Sequence, residues 1–142
     1  MTASGRDPDA EPAGVLAVAT SDDVVRARQQ ARALAVRCGL SLVDQTKLVT
    51  AASELARNTV IHGGGGTMHS EVVERGGRRG IQLSFTDTGP GIPDLGLALR
   101  DGWSSGSGMG LGLSGARRLV DDFDLHTDVG EGTTVTVVKW AH

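Results

Sequence analysis

The chain of 142 residues has a single cysteine, no Lys/Arg block longer than Arg75-Gly-Gly-Arg78-Arg79, and no apolar run long enough to cross a bilayer. Each absence removes a class of function. Cys38 has no partner for an internal disulfide and no metal-ligand spacing around it, so a reducing compartment and a small core residue are expected. Without a broad basic footprint, nucleic acid and anionic lipid are not expected as partners, and the short basic stretch reads as the solvated tip of a hairpin. The start of the chain lacks the apolar stretch of a signal peptide. Met1 to about Gly14, rich in Pro, Asp, Ala and Gly, reads as a disordered leader (1–14), leaving 15–142 as one domain with no membrane association and a cytoplasmic location. The sequence also lacks Gly-x-x-x-x-Gly-Lys-Ser/Thr, which excludes a P-loop at motif level. Gly110-Leu-Gly112-Leu-Ser-Gly115 does match the dinucleotide fingerprint, with Glu131 near the distance of a ribose ligand. That fingerprint needs a strand just before it, and Arg100 to Met109 is glycine, serine and charge.

What is present is a pattern of short elements. Val15 to Thr20 reads as a strand, followed by a helix over 21–38 capped by Ser21 and carrying Val24, Val25, Ala31, Leu34, Ala35 and Cys38. Ser41 with Asp44 opens a second helix, 41–62, whose apolar residues include Val43, Leu48, Ala51, Ala52 and Leu55, and which the glycine run Gly63 to Gly66 ends. Thr67 to Glu74 and Ile81 to Asp87 alternate as strands, with a glycine-rich hairpin connection between them. A short helix over Asp94 to Leu99, a mobile loop from Arg100 to Met109, a helix over 111–123 and a closing hairpin of Leu125 to Val129 and Thr133 to Trp140 complete the expectation. Helices together with mixed, mostly antiparallel strands imply an α+β fold, a two-layer sandwich with helices covering one face of the sheet.

Three segments carry chemistry. On the second helix Glu54, Asn58 and His62 fall at i, i+4 and i+8, one stripe of side chains. An amide oxygen such as that of Asn58 suits Mg²⁺, which takes few protein ligands and leaves the rest to phosphate and water. A carboxylate one turn earlier, Glu54, is placed to accept the proton of an attacking hydroxyl. His62 suits either a phosphate contact or a structural hydrogen bond at the helix end. Alone, the stripe also fits an ordinary solvated helix face. Asp87-Thr-Gly89-Pro-Gly91 follows directly on an apolar strand; its carboxylate can accept a hydrogen bond from the exocyclic amine of adenine, or the segment is a plain turn. Gly102, Gly106, Gly108, Gly110 and Gly112 fall in eleven residues running into a helix, and such a loop presents backbone N–H groups and a helix N-terminus to phosphate. A flexible linker is the alternative there, disfavoured by Met109, Leu111 and Leu113, which suit folding back on the core.

With these segments in order, the chain resembles the GHKL ATPase and kinase superfamily, whose Bergerat fold binds ATP between helices and an antiparallel sheet. The resemblance rests on Glu54-x-x-x-Asn58, Asp87-x-Gly89-x-Gly91, the glycine box through Gly112, and Gly130-Glu-Gly132-Thr133. It implies Mg²⁺ on Asn58, the adenine amine on Asp87 beside Gly89 and Gly91, and phosphates on Gly106, Gly108, Met109, Gly110, Leu111 and Gly112, with His62 in the same site. It further implies Thr133 at the adenine end and Glu54 as the base. The length leaves no room for the dimerisation helices of a sensor histidine kinase, and Glu54-Leu-Ala-Arg-Asn, Asp87-Thr-Gly-Pro-Gly-Ile-Pro-Asp and Lys139-Trp140 look most like RsbT-type switch kinases. That likeness implies a serine/threonine kinase acting on a STAS-domain protein in bacterial partner switching and activating a PP2C-type phosphatase. The alternatives are an anti-sigma factor that sequesters a sigma factor, and a non-catalytic ATP-dependent binding module.

Overall fold

The computed structural model describes residues 14–91 and 113–141. The expected helix over 94–99 and the loop over 100–109 lie outside the described residues, as does the leader except for Gly14. The elements run β1 (Gly14–Val18), α1 (Ser21–Arg37), α2 (Leu42–Ile61), β2 (Gly66–Arg75), β3 (Arg78–Asp87), α3 (Leu113–Leu119), β4 (Asp122–Asp128) and β5 (Gly132–Trp140). The strands form one sheet in the order β1-β2-β3-β5-β4. Every pairing is antiparallel, so the described sheet is not mixed. The α+β two-layer class stands, and no described helix is long and apolar enough to cross a membrane.

Local chemistry sets the element ends. Thr20, not Ser21, caps α1: its hydroxyl accepts the Asp23 N–H at 3.3 Å while the Asp23 carboxylate accepts the Thr20 N–H at 3.1 Å. Ser41 caps α2 as expected, accepting the Asp44 N–H at 3.1 Å. The β2–β3 turn closes on Gly76 and Gly77 alone, at φ 59° and 81°, the left-handed pair that a tight two-residue hairpin demands. The described part of the third helix ends at Leu119, short of the expected Phe123. The Asp121 N–H bonds Val138 O at 3.0 Å and its carboxylate takes the Trp140 N–H at 2.7 Å, which draws the chain into the sheet before another helical turn can form.

The registers stack side chains in rows across the face that the helices cover. Met68, Phe85, Val135 and Leu125 make one row; Ser70, Leu83, Val137 and Phe123 make the next. Against them pack Ala27, Ala31, Leu34, Leu48, Ala52 and Leu55, all fully buried. The small alanines let the helices sit close to the strands. Cys38 is buried in this core, and burial pushes its thiol pKa up. Val25 and Val43, apolar positions of the two expected helices, are 45% and 64% exposed: Val24 fills the inward stripe of α1 beside Val25, and the inward stripe of α2 runs through Leu48, Ala51, Ala52 and Leu55, off the line of Val43. Leu34→Ala should cost about 2–5 kcal/mol in urea denaturation, whereas Val43→Ala should stay within about 0.5 kcal/mol of wild type; equal effects would contradict this core.

Candidate functional site

Beyond the apolar rows the same face ends in a polar one. Gly66, Asp87, Thr133 and Thr127 lie side by side on β2, β3, β5 and β4. Asp87 is 8% exposed and Thr133 5%, so both face the helical layer as the buried apolar residues of their strands do. Asp87 Oδ1 accepts the Gly89 N–H at 2.9 Å, an Asx turn that fixes the carboxylate. Thr133 Oγ1 pairs with Thr127 Oγ1 at 2.9 Å, and Thr127 also donates to Gly132 O at 3.2 Å.

The end of α2 meets this row. The N–H groups of His62 and Gly63 both go to Asn58 O, at 2.9 and 3.1 Å, and that of Gly65 to Thr59 O at 2.8 Å, with Gly64 and Gly65 at positive φ. This tight turn lays Gly63 against Asp87: a Cβ on Gly63 would fall 2.5 Å from Asp87 Oδ2. Gly63 has no positive φ, so glycine is needed there for the contact and not for the backbone angle. One chain of contacts therefore links Asn58, Gly63, Asp87 and Thr133.

Asn58 is 7% exposed, and its Oδ1 is fully buried with no hydrogen-bond partner among the described residues. An unpaired buried acceptor costs about 1–3 kcal/mol. It also has the donor chemistry of a hard-cation ligand, so the residue fits the Mg²⁺ expected there. Glu54, one turn earlier, is half-buried. His62 caps the helix, and partial burial holds its imidazole below the usual histidine pKa, leaving it uncharged at neutral pH.

Of the residues expected from sequence, α2 carries Glu54, Asn58 and His62, and the row at its end carries Asp87 and Thr133. Gly89 and Gly91 make room for the protein's own chain: a Cβ on Gly89 would lie 2.7 Å from Gly63 O, and one on Gly91 2.5 Å from Asp128 O. The Asp87–Gly91 loop is thereby seated on the β4–β5 turn, where the Gly130 N–H reaches Pro90 O at 2.8 Å. Gly106, Gly108, Met109, Gly110, Leu111 and Gly112 lie outside the described residues. Sequence reasoning missed Thr127 and Gly63. A strand register would have found the first; the second was read only as a helix stop.

Residues 43–141 match the family of histidine kinase-, DNA gyrase B- and HSP90-like ATPases. The chain is 42% identical over 123 residues to the serine/threonine-protein kinase RsbT of Bacillus subtilis, covering 87% of this chain and 92% of that one. It is 26% identical over 120 residues to the anti-sigma F factor of Anoxybacillus flavithermus, covering 80% and 81% respectively. A crystal structure of the RsbU and RsbW domains of a Mycobacterium tuberculosis protein superposes with a TM-score of 0.61 at 22% identity, which speaks to the fold alone. The alignment covers 90% of this chain and 32% of that one, so the chain spans about a third of that protein's structure.

Asn58→Ala should leave the unliganded protein within about 1 kcal/mol of wild-type stability, because it removes an unsatisfied buried acceptor. The same variant should lose the magnesium-dependent part of nucleotide binding. Thermal melts and titrations with and without magnesium check both; a large loss of stability with binding intact would contradict the assignment.

Proposed function

Because the chain belongs to the family of histidine kinase-, DNA gyrase B- and HSP90-like ATPases, we propose that it is an ATP-dependent serine/threonine protein kinase that acts by partner switching. The observation that carries the reading is the orphaned Asn58 Oδ1 at the end of α2, one turn from Glu54 and joined through Gly63 to the Asp87 row. A metal ligand, a base and an adenine acceptor are thereby grouped at one end of the sandwich.

Asp87 accepts the amine of adenine through the carboxylate oxygen that Gly89 leaves free, and Thr133 supports that end of the site. Asn58 holds Mg²⁺, which when bound neutralises phosphate charge. The segment Gly106 to Gly112 supplies backbone N–H groups to the phosphates. Glu54 accepts the proton of a serine or threonine hydroxyl as its oxygen bonds to the γ-phosphorus and the bond to the β-phosphate oxygen breaks, releasing ADP. The likeness to RsbT supports a small STAS-domain protein as acceptor and a PP2C-type phosphatase as the alternating partner. The weaker likeness to an anti-sigma F factor supports a second reading, sequestration of a sigma factor. The presence of both Glu54 and Asn58 disfavours a non-catalytic module. A cytoplasmic location goes with these partners.

Glu54→Gln should keep ATP affinity within about threefold and lower phosphate transfer to a STAS protein by roughly 10²-fold or more, the usual size of a general-base contribution. Measured by nucleotide titration and radiolabel transfer, unchanged transfer would refute the base assignment. Recovery of a sigma factor rather than a STAS protein in a pull-down with ATP would favour the second reading.

A further inference from the structure

At the opposite end of the helix-covered face the row is broken by a charge. Lys139 follows Thr133, Val135 and Val137 on the same side of β5, and its side chain is only 6% exposed. Its ammonium lies 3.2 Å from both carboxylate oxygens of Asp121 and 3.5 Å from Asp44 Oδ1. Asp44 sits in the first turn of α2, and Asp121 follows the end of α3. Asp121 is in turn held to β5 through the Trp140 N–H and Val138 O. One buried cation thus ties the start of α2 and the end of α3 to a single strand.

Both helices bear on the metal side of the nucleotide site: α2 carries Glu54 and Asn58, and α3 packs against α2. Asp87 and Thr133, by contrast, sit on β3 and β5, which pair with each other from Gly80 to Asp87 and from Thr133 to Trp140. Burying a lysine between two carboxylates is a poor way to gain stability, since apolar residues of like volume commonly do as well. What it adds to the interdigitated apolar packing is geometry: the ammonium ties Asp44 on α2 and Asp121 after α3 to one point of β5.

We propose that Lys139 is a positioning residue that sets the placement of α2 on the sheet, directly through Asp44 and indirectly through the α3 helix packed against it, and through α2 the metal side of the nucleotide site. The inference rests on the ATP reading above. It distinguishes the two halves of the ligand: loosening the clamp weakens what α2 holds more than what the strands hold, which α2 touches only through Gly63 at its end.

The test compares affinities for Mg-ATP and for adenosine in wild type and Lys139→Met, at a temperature where circular dichroism shows both folded. Lys139→Met should weaken Mg-ATP by roughly tenfold or more while adenosine stays within about twofold. Asp44→Asn keeps the shape of the clamp and leaves Lys139 with Asp121, and should shift the ratio in the same direction by roughly threefold; it serves if Lys139→Met does not fold. Equal weakening of both ligands, as a purely structural role requires, overturns the inference, and so does an unchanged ratio. A wild-type protein that binds Mg-ATP no more tightly than adenosine overturns the nucleotide reading itself, which distinguishes that failure from failure of the clamp.

Discussion

Helix α2 keeps one buried stripe along most of its length, and that stripe changes character in its last turns. Leu48, Ala51, Ala52, Leu55 and Ala56 bury hydrocarbon, then Asn58 and Thr59 continue the same face with polar groups. Thr59 satisfies itself on Leu55 O at 2.9 Å, but Asn58 Oδ1 has no partner among the described residues. Packing therefore places this amide: whatever seats Leu48 and Leu55 on the sheet also delivers Asn58 to the polar row at its end. A sheet built of straight antiparallel rows makes the same transition at the same end, from Phe85 and Val135 to Asp87 and Thr133. The candidate site is the polar end of the hydrophobic core and continuous with it.

Much of this was legible in the chain because it is periodic. The four-residue spacing of Glu54, Asn58 and His62 specifies a shared helix face, and the alternation of Ile81, Leu83, Phe85 and Asp87 puts the carboxylate on the buried side of a strand end. The hairpin at Gly76-Gly77 follows from turn chemistry. What escaped depended on residues distant in sequence. Leu119 ends the described part of the third helix because Asp121 is captured by Val138 and Trp140, seventeen and nineteen residues on. Thr127 belongs to the site only through the register that puts it beside Thr133. Gly63 serves the Asp87 carboxylate across a turn, and local sequence assigns it no more than a helix stop. Val25 and Val43 show the converse: apolar character alone does not put a residue on the inward face of its helix.

Local cost and function meet at Asn58. A buried amide oxygen without a partner destabilises the unliganded fold by about 1–3 kcal/mol, and the orphaned acceptor is what a hard cation would satisfy. The glycines around Asp87 allow the same close approach: Gly63 lies against its carboxylate, Gly89 against Gly63 O and Gly132 against the Asp87 carbonyl oxygen. Membership of the ATPase family and the likeness to RsbT give these features a common reading.

The central claim is that the Asn58 amide oxygen is the metal ligand of a nucleotide site. It is tested most directly by nuclear magnetic resonance of the chain titrated with ATP and trace Mn²⁺ in place of Mg²⁺. With Asn58 Oδ1 as the ligand, the Asn58 side-chain amide signals should broaden first and most strongly, only when nucleotide and metal are both present. Broadening centred elsewhere, with the Asn58 amide signals unchanged, would contradict it.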